Sequence, residues 1–215
     1  MNAARPVLTN GHDILRGGGF TVFFTGLPAA GKTTTATALA ERLRAVDPRP
    51  VFLLDGDTFR RRYGADLGFS RRDRILNLER VGQHARRITA AGGIAVCAFV
   101  SPYEDARRRI RQAVSEAGGY VEVYVSTPLP VCERRDPKGL YAKARQGLIH
   151  DFTGVDDPYE EPVNPEVSID ADRMPTDQAV AVLLSYLRNR GYLTGQRKGC
   201  AAPDTRAAAG TVNPD

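Results

Sequence analysis

Apolar residues along this chain fall into short blocks separated by stretches in which they recur at helical spacing. The block FTVFFT (Phe20–Thr25) predicts a strand, and Lys32 to Val46 predicts an amphipathic helix. PVFLLD, IAVCAFV, YVEVYV and the shorter EVSIDA predict four more strands. Between them, a helical turn is expected at Phe59–Tyr63, then a long helix through about Ala91, stopped by Gly92-Gly93. A further helix is expected from Pro102 to near Gly118-Gly119, a short one at PVCERR, and a closing one over TDQAVAVLLSYLRNRG. Strands alternating with helices of these lengths predict an α/β fold with a central parallel sheet covered on both faces. No internal repeat is visible.

Three segments break the alternation. Residues 1–17 mix Pro, Asn, Gly and charge and read as an N-terminal arm; the domain proper spans 18–194. From Gly195 to Asp215 the chain is small, polar and Pro/Gly-punctuated, with no periodic apolar face, and is expected to be disordered. The stretch at about 135–165 is too long and polar for an ordinary connection and reads as a lid. Closed over a bound ligand, a lid excludes water from it.

Composition adds limits. At 215 residues the chain suits one well-buried domain, and 30 Lys+Arg against 25 Asp+Glu give a formal charge of +5. That balance suits anionic small molecules without singling out nucleic acid, and the arginine runs fit solvated helix faces. Cys97, Cys132 and Cys200 are too few and scattered for a disulfide framework or a zinc site. No apolar run approaches the roughly 18 residues needed to span a bilayer, and the N-terminus lacks the order of a signal peptide. A soluble, cytoplasmic protein without membrane or nucleic-acid partners is expected.

The chemistry begins with GLPAAGKTTT. Gly26 to Thr33 matches G-x-x-x-x-G-K-[ST], set between an expected strand and an expected helix, as a phosphate loop must be. Gly26, Leu27, Pro28, Ala29, Ala30, Gly31, Lys32, Thr33 and Thr34 are the expected ATP-binding residues. Lys32 reaches the β and γ phosphates and Thr33 supplies a hydroxyl ligand to Mg2+. Pro28 removes one backbone donor from this cradle.

The second strand ends in DGDTFR, placing Asp55 and Asp57 at the carboxyl edge of the sheet. One carboxylate accepts a proton from an attacking hydroxyl while the other organises the metal shell; the structural alternative is an Asp-Gly turn with a helix cap at Asp57. Arg60, Phe69, Arg74 and Asn77 bring two guanidiniums, an aromatic face and an amide into one short segment, suited to an anion and a base. Ser101, in SPYED, either lines the acceptor pocket or caps the helix expected at Pro102. In the lid, Arg134, Arg135, Lys138 and Arg145 are candidate charges for the moving phosphoryl group, and Phe152 and Tyr159 candidate contacts to an aromatic ligand.

Taken with FVSPY before Arg107, PLPVCERRDPKGLYAKAR and FTGVDDPYE, these motifs resemble the adenylylsulfate kinase family, from about Phe20 to Pro165. The lid sequence is the most specific part. The resemblance implies a three-layer fold of the P-loop nucleoside-kinase type. It implies phosphorylation of the 3′-hydroxyl of adenosine 5′-phosphosulfate (APS) by ATP with Mg2+, within sulfate assimilation, and a homodimer as in many relatives. It places the APS pocket on Arg60, Phe69, Arg74 and Asn77, closed by Ser101, Lys138 and Phe152, with Arg134 at the ATP. Asp55 and Asp57 lie beside the 3′-hydroxyl, Asp57 as base, and Ser101 corresponds to a serine named in the family as a phosphoserine. The chain departs from the family at Pro28, Ala29, Thr58, Ile75, Leu76 and Glu79. Two other readings stay open: a kinase acting on another hydroxyl-bearing anionic metabolite, and a nucleotide-binding regulatory subunit.

Overall fold

The computed structural model describes residues 18–193; the expected arm and tail, Thr194 and Cys200 lie outside the described residues. Five strands, β1 (Phe20–Thr25), β2 (Val51–Asp55), β3 (Ile94–Ala98), β4 (Gly119–Val125) and β5 (Val167–Ile169), form one sheet in the order β2-β3-β1-β4-β5. Every pairing is parallel. The helices are α1 (Lys32–Val46), α2 (Gly56–Tyr63), α3 (Arg71–Ala90), α4 (Glu104–Ser115), α5 (Leu129–Arg135), α6 (Leu140–Arg145) and α7 (Thr176–Asn189).

The strand FTVFFT is apolar throughout because β1 lies mid-sheet and both its faces are covered. Phe20, Val22 and Phe24 join Leu39 and Leu43 of α1 and Leu183 and Leu187 of α7 in one buried core. Phe23, between them in the pleat, points the other way, into a second core with Val81 and Ala85 of α3 and Ile110 and Val114 of α4. Two cores on opposite faces make three layers. Each fully buried Leu, Ile or Phe contributes about 1.5–3 kcal/mol, so this double burial fixes the register of β1. Because all strands run the same way, the turns leaving β1, β2, β3 and β4 gather on one edge, where ligands bind in such sheets.

Several elements differ from the sequence expectations. Helix α2 starts at Gly56, not Phe59, because the Asp55 carboxylate accepts the N–H groups of Asp57 (3.1 Å) and Thr58 (3.2 Å). The cap is therefore Asp55; Asp57 is free of that duty. Strand β3 ends at Ala98, and α4 begins at Glu104 rather than Pro102, with extended Tyr103 at its N-cap position. The stretch expected to be a lid holds a short helix, α6. The Asp136 carboxylate accepts from the N–H groups of Leu140 (2.8 Å) and Ala142 (3.0 Å), and Gly139 takes the left-handed turn before it (φ 63°).

Candidate active site

The turn after β1 bends through three residues with positive φ: Gly26 (149°), Ala29 (59°) and Gly31 (104°). Its carbonyls are held from outside. The Ala30 carbonyl accepts from Thr127 Oγ1 (2.8 Å) and an Arg135 guanidinium nitrogen (3.5 Å), and the Pro28 carbonyl from the Tyr141 hydroxyl (3.1 Å). Lys32 Nζ donates back to the carbonyls of Gly26 (2.9 Å) and Leu27 (2.6 Å). With the carbonyls engaged, the N–H groups from Gly31 to Thr34 have no protein acceptor among the described residues. They stand at the positive end of α1, the arrangement that receives a phosphate. Lys32 is buried, and that burial lowers its pKa to about 8 against the attraction of nearby Asp55 and Asp57.

Beside this turn, Asp55 connects two elements. One of its carboxylate oxygens caps α2, and the other accepts from Thr33 Oγ1 at 3.0 Å, so the end of β2 and the start of α1 are joined by the groups expected near a metal. Asp57, in the first turn of α2, forms an ion pair with Lys138 from the polar segment after α5. Both side chains are more than half exposed. Behind this pair opens a cleft of about 670 Å³, lined among others by Arg60, Arg61, Leu67 and Phe69. The Arg60 guanidinium lies 4.3 Å from the Phe69 ring centroid and donates to the carbonyls of Leu67 (3.0 Å) and Gly68 (2.7 Å). Burial and neighbouring Arg74 lower its pKa. The Phe69 ring itself is 63% exposed, an aromatic face presented to the cleft rather than to a core.

Arg74 extends from α3 to the far side. It donates to the Phe69 carbonyl (2.8 Å), to Thr153 Oγ1 (2.8 Å) and to the Asp151 carbonyl. Asn77 is buried, and its side-chain oxygen has no partner among the described residues. A Cβ at Gly64 would come within 2.7 Å of that oxygen, so glycine keeps the space beside it open.

Ser101 does not cap α4. It sits at φ 46°, buried, and its hydroxyl oxygen has no hydrogen-bond partner among the described residues. Its carbonyl accepts from Arg107 (2.7 Å) and from Thr25 Oγ1 (3.3 Å). Arg107, 1% exposed, also reaches the Glu160 carbonyl (2.7 Å) and the Glu104 carboxylate. Nearby, the Tyr103 hydroxyl donates to Asp157 (3.0 Å), the Glu104 N–H to the Glu160 carboxylate (2.6 Å), and the Glu160 N–H to the Pro102 carbonyl (2.8 Å). The segment 157–160 is thus fastened to the turn that carries Ser101.

The remaining candidates divide. Phe152 is buried edge-on against Tyr141, ring centroids 5.0 Å apart. Tyr159 does not face the cleft: its hydroxyl lies 2.8 Å from Thr25 Oγ1, and its ring stacks on Tyr124. Arg145 is paired with Glu133. Arg134 is exposed, with no hydrogen bond or ion pair among the described residues, whereas Arg135 touches the phosphate loop and the Ala171 carbonyl (2.9 Å). Sequence reasoning named Arg135 only as a general charge and overlooked Thr127 and Tyr141, the outer supports of the loop. Only their positions just past a strand end and inside the polar segment hinted at them.

The sequence model of the family described as adenylylsulphate kinase matches residues 18–170, which contain the phosphate loop and the residues lining the cleft. The chain belongs to the adenylylsulphate kinase family. It is 46% identical over 175 residues to an adenylyl-sulfate kinase of Synechococcus, covering 81% of this chain and 97% of that one. It is likewise 46% identical to the adenylyl-sulfate kinase of Pseudomonas entomophila, covering 80% and 82%. Among solved structures, the Mycobacterium tuberculosis APS kinase in complex with AMPPNP and APS superimposes with a TM-score of 0.74 at 39% identity, over 80% of this chain and 98% of that one. Adenylylsulphate kinase membership makes this chain a kinase.

Proposed function

We infer that the protein transfers the γ-phosphoryl group of ATP to the 3′-hydroxyl of APS, giving 3′-phosphoadenosine 5′-phosphosulfate and ADP. The observation that carries this reading is that the phosphate loop is joined through Thr33 to Asp55, two residues from the Asp57 that lines a cation- and aromatic-bearing cleft. The N–H groups at the start of α1 and the charge of Lys32 hold the ATP phosphates. Asp57 accepts the proton of the 3′-hydroxyl as its oxygen bonds to the γ-phosphorus, and the bond from that phosphorus to the bridging oxygen of ADP breaks. For this, Lys138 exchanges Asp57 for an anionic oxygen of a substrate. The exposed Phe69 ring stacks the adenine of APS, and Arg60 forms part of the pocket wall, with Arg74 fastening the Phe69 carbonyl beside it.

Mg2+ fits the residues present. The described residues hold no cluster of three or more His, Cys, Asp or Glu able to cage a metal. Thr33 Oγ1 and the Asp55 carboxylate offer two adjacent hard oxygen donors, as suits an ion that takes its other ligands from phosphates and water. When bound there, the ion neutralises charge on the β and γ phosphates.

The segment at about 135–165 acts as a lid in this reading, with Lys138 its cleft-facing charge. Direct in-line transfer requires no phosphorylated serine at Ser101. A related APS kinase from Thiobacillus denitrificans is described as hexameric, and self-association, with a homodimer as the simplest form, is proposed here. A cytoplasmic setting agrees with the substrates.

Purified protein with ATP, Mg2+ and APS should form the 3′-phosphorylated product, and APS should exceed other nucleotide and sugar acceptors in kcat/KM. Absence of product at any enzyme concentration refutes the reading. Asp57→Asn should lower kcat by about a thousandfold while nucleotide binding, followed by calorimetry, persists.

A further inference from the structure

The cations that line the acceptor cleft, and Arg74 beyond its lining, are not equally available. Arg60 spends donors on the carbonyls of Leu67 and Gly68 and its face on Phe69. Arg74 is engaged with the Phe69 carbonyl, Thr153 and Asp151. Lys138 is paired with Asp57. Arg61 lines the same cleft, is exposed, and makes one long contact, 3.4 Å, to Thr58 Oγ1. Arg61 is therefore the least committed of these guanidinium and ammonium groups.

Its position on α2 is informative. Asp57, Arg60, Arg61 and Gly64 all border the cleft and follow the i, i+3, i+4, i+7 spacing of one helix face. Arg61 thus stands about 6 Å along the helix from Asp57. That offset places its charge away from the hydroxyl being phosphorylated and toward the distant end of an acceptor whose reacting hydroxyl meets Asp57. Arg60, Arg61 and Lys138 against Asp57 leave the cleft lining with two excess positive charges, which match the two negative charges of a 5′-phosphosulfate. An arginine lining the cleft with its donors uncommitted can offer a planar pair of N–H groups to such an anion.

We propose that Arg61 is a specificity-determining residue that binds the anionic phosphosulfate end of the acceptor. This rests on the APS kinase reading above.

The test compares wild type with Arg61→Gln, Arg61→Lys and Thr58→Ala in steady-state assays that vary APS and ATP separately. Exposed helix positions tolerate such changes, and equal thermal midpoints verify folding. Losing one charge-assisted contact should raise KM for APS about tenfold in Arg61→Gln, with kcat and KM for ATP within about twofold of wild type. Arg61→Lys should recover most of the loss, because the charge is kept. Thr58→Ala, which removes only the 3.4 Å contact, should behave as wild type. The APS dependence of wild type should also weaken as salt rises, and less steeply in Arg61→Gln. An unchanged KM for APS in Arg61→Gln overturns the proposal, as does a loss confined to kcat or shared equally with ATP. If wild type itself fails to turn over APS, the functional reading fails instead, and the two failures are told apart by that control.

Discussion

Ala29 stands at φ 59° inside the phosphate loop, where a β-carbon crowds the following carbonyl. Left-handed backbone costs an alanine about 1–2 kcal/mol, whereas a glycine there loses about 0.5–1 kcal/mol in chain entropy. Ala29→Gly should therefore stabilise the protein by about 0.5–1 kcal/mol, read as a raised denaturant midpoint at constant m-value. A lowered midpoint would show that loop strain is not what Ala29 contributes. Lys32 supplies a second test. Burial lowers its pKa to about 8, below its ordinary value of 10.5, so between those limits the unfolded chain holds the proton that the folded protein has lost. Its contribution to stability consequently rises with pH from about 8 to about 10.5. Nucleotide binding has the opposite sign: ATP phosphates need the ammonium, so above pH 8 binding takes up a proton and affinity falls. Calorimetry at pH 8.8 in two buffers of different ionisation enthalpy should reveal that uptake, and Lys32→Met should abolish it.

At the scale of elements, the turn after β3 is held by its connection to the polar segment. Glu160 contributes both backbone groups and its carboxylate to that connection, which receives the Glu104 N–H at the start of α4. Glu160→Ala removes the carboxylate, a loss comparable to a missing helix cap, and should cost about 1–2 kcal/mol. If the segment is a lid, the same variant should also raise ATP hydrolysis measured without acceptor, because a loosened anchor closes less completely. An unchanged hydrolysis rate would confine Glu160 to stability. The elements most legible in the sequence were those whose apolar pattern is self-sufficient. Phe20–Thr25 and the closing helix at 176 appear where the pattern places them. The start of α2 was missed because it depends on Asp55 reaching forward to two N–H groups, and α6 because a cap from Asp136 and a left-handed Gly139 organise an otherwise polar run. Side-chain capping of this kind carries no periodicity to detect.

Across the whole molecule, the site joins groups separated widely along the chain. Thr33 meets Asp55, and Lys138 meets Asp57, because parallel strands in the order β2-β3-β1-β4-β5 bring their exits to one edge. The motifs around each residue were readable singly, and their chemistry with them. Which partner each would choose was not, since the Lys138–Asp57 pair and the Arg107–Glu160 contact depend on how the chain returns over the sheet edge. This arrangement predicts how the two ligands act together. A nonhydrolysable ATP analogue with Mg2+ at about one hundred times its Kd should stabilise the protein by about 2.7 kcal/mol, and for a domain of this size that corresponds to about 5–10 °C in Tm. The acceptor must displace Lys138 from Asp57 and draw the polar segment inward, an ordering cost that bound nucleotide has partly met already if Lys138 has turned to its phosphates. APS alone should then give a small shift, and both ligands together a shift larger than the sum of the two, with the coupling weakened in Lys138→Ala. Strictly additive shifts, or coupling unaffected by that substitution, would mean that the loop and the cleft fill independently and that the lysine pair does not link them.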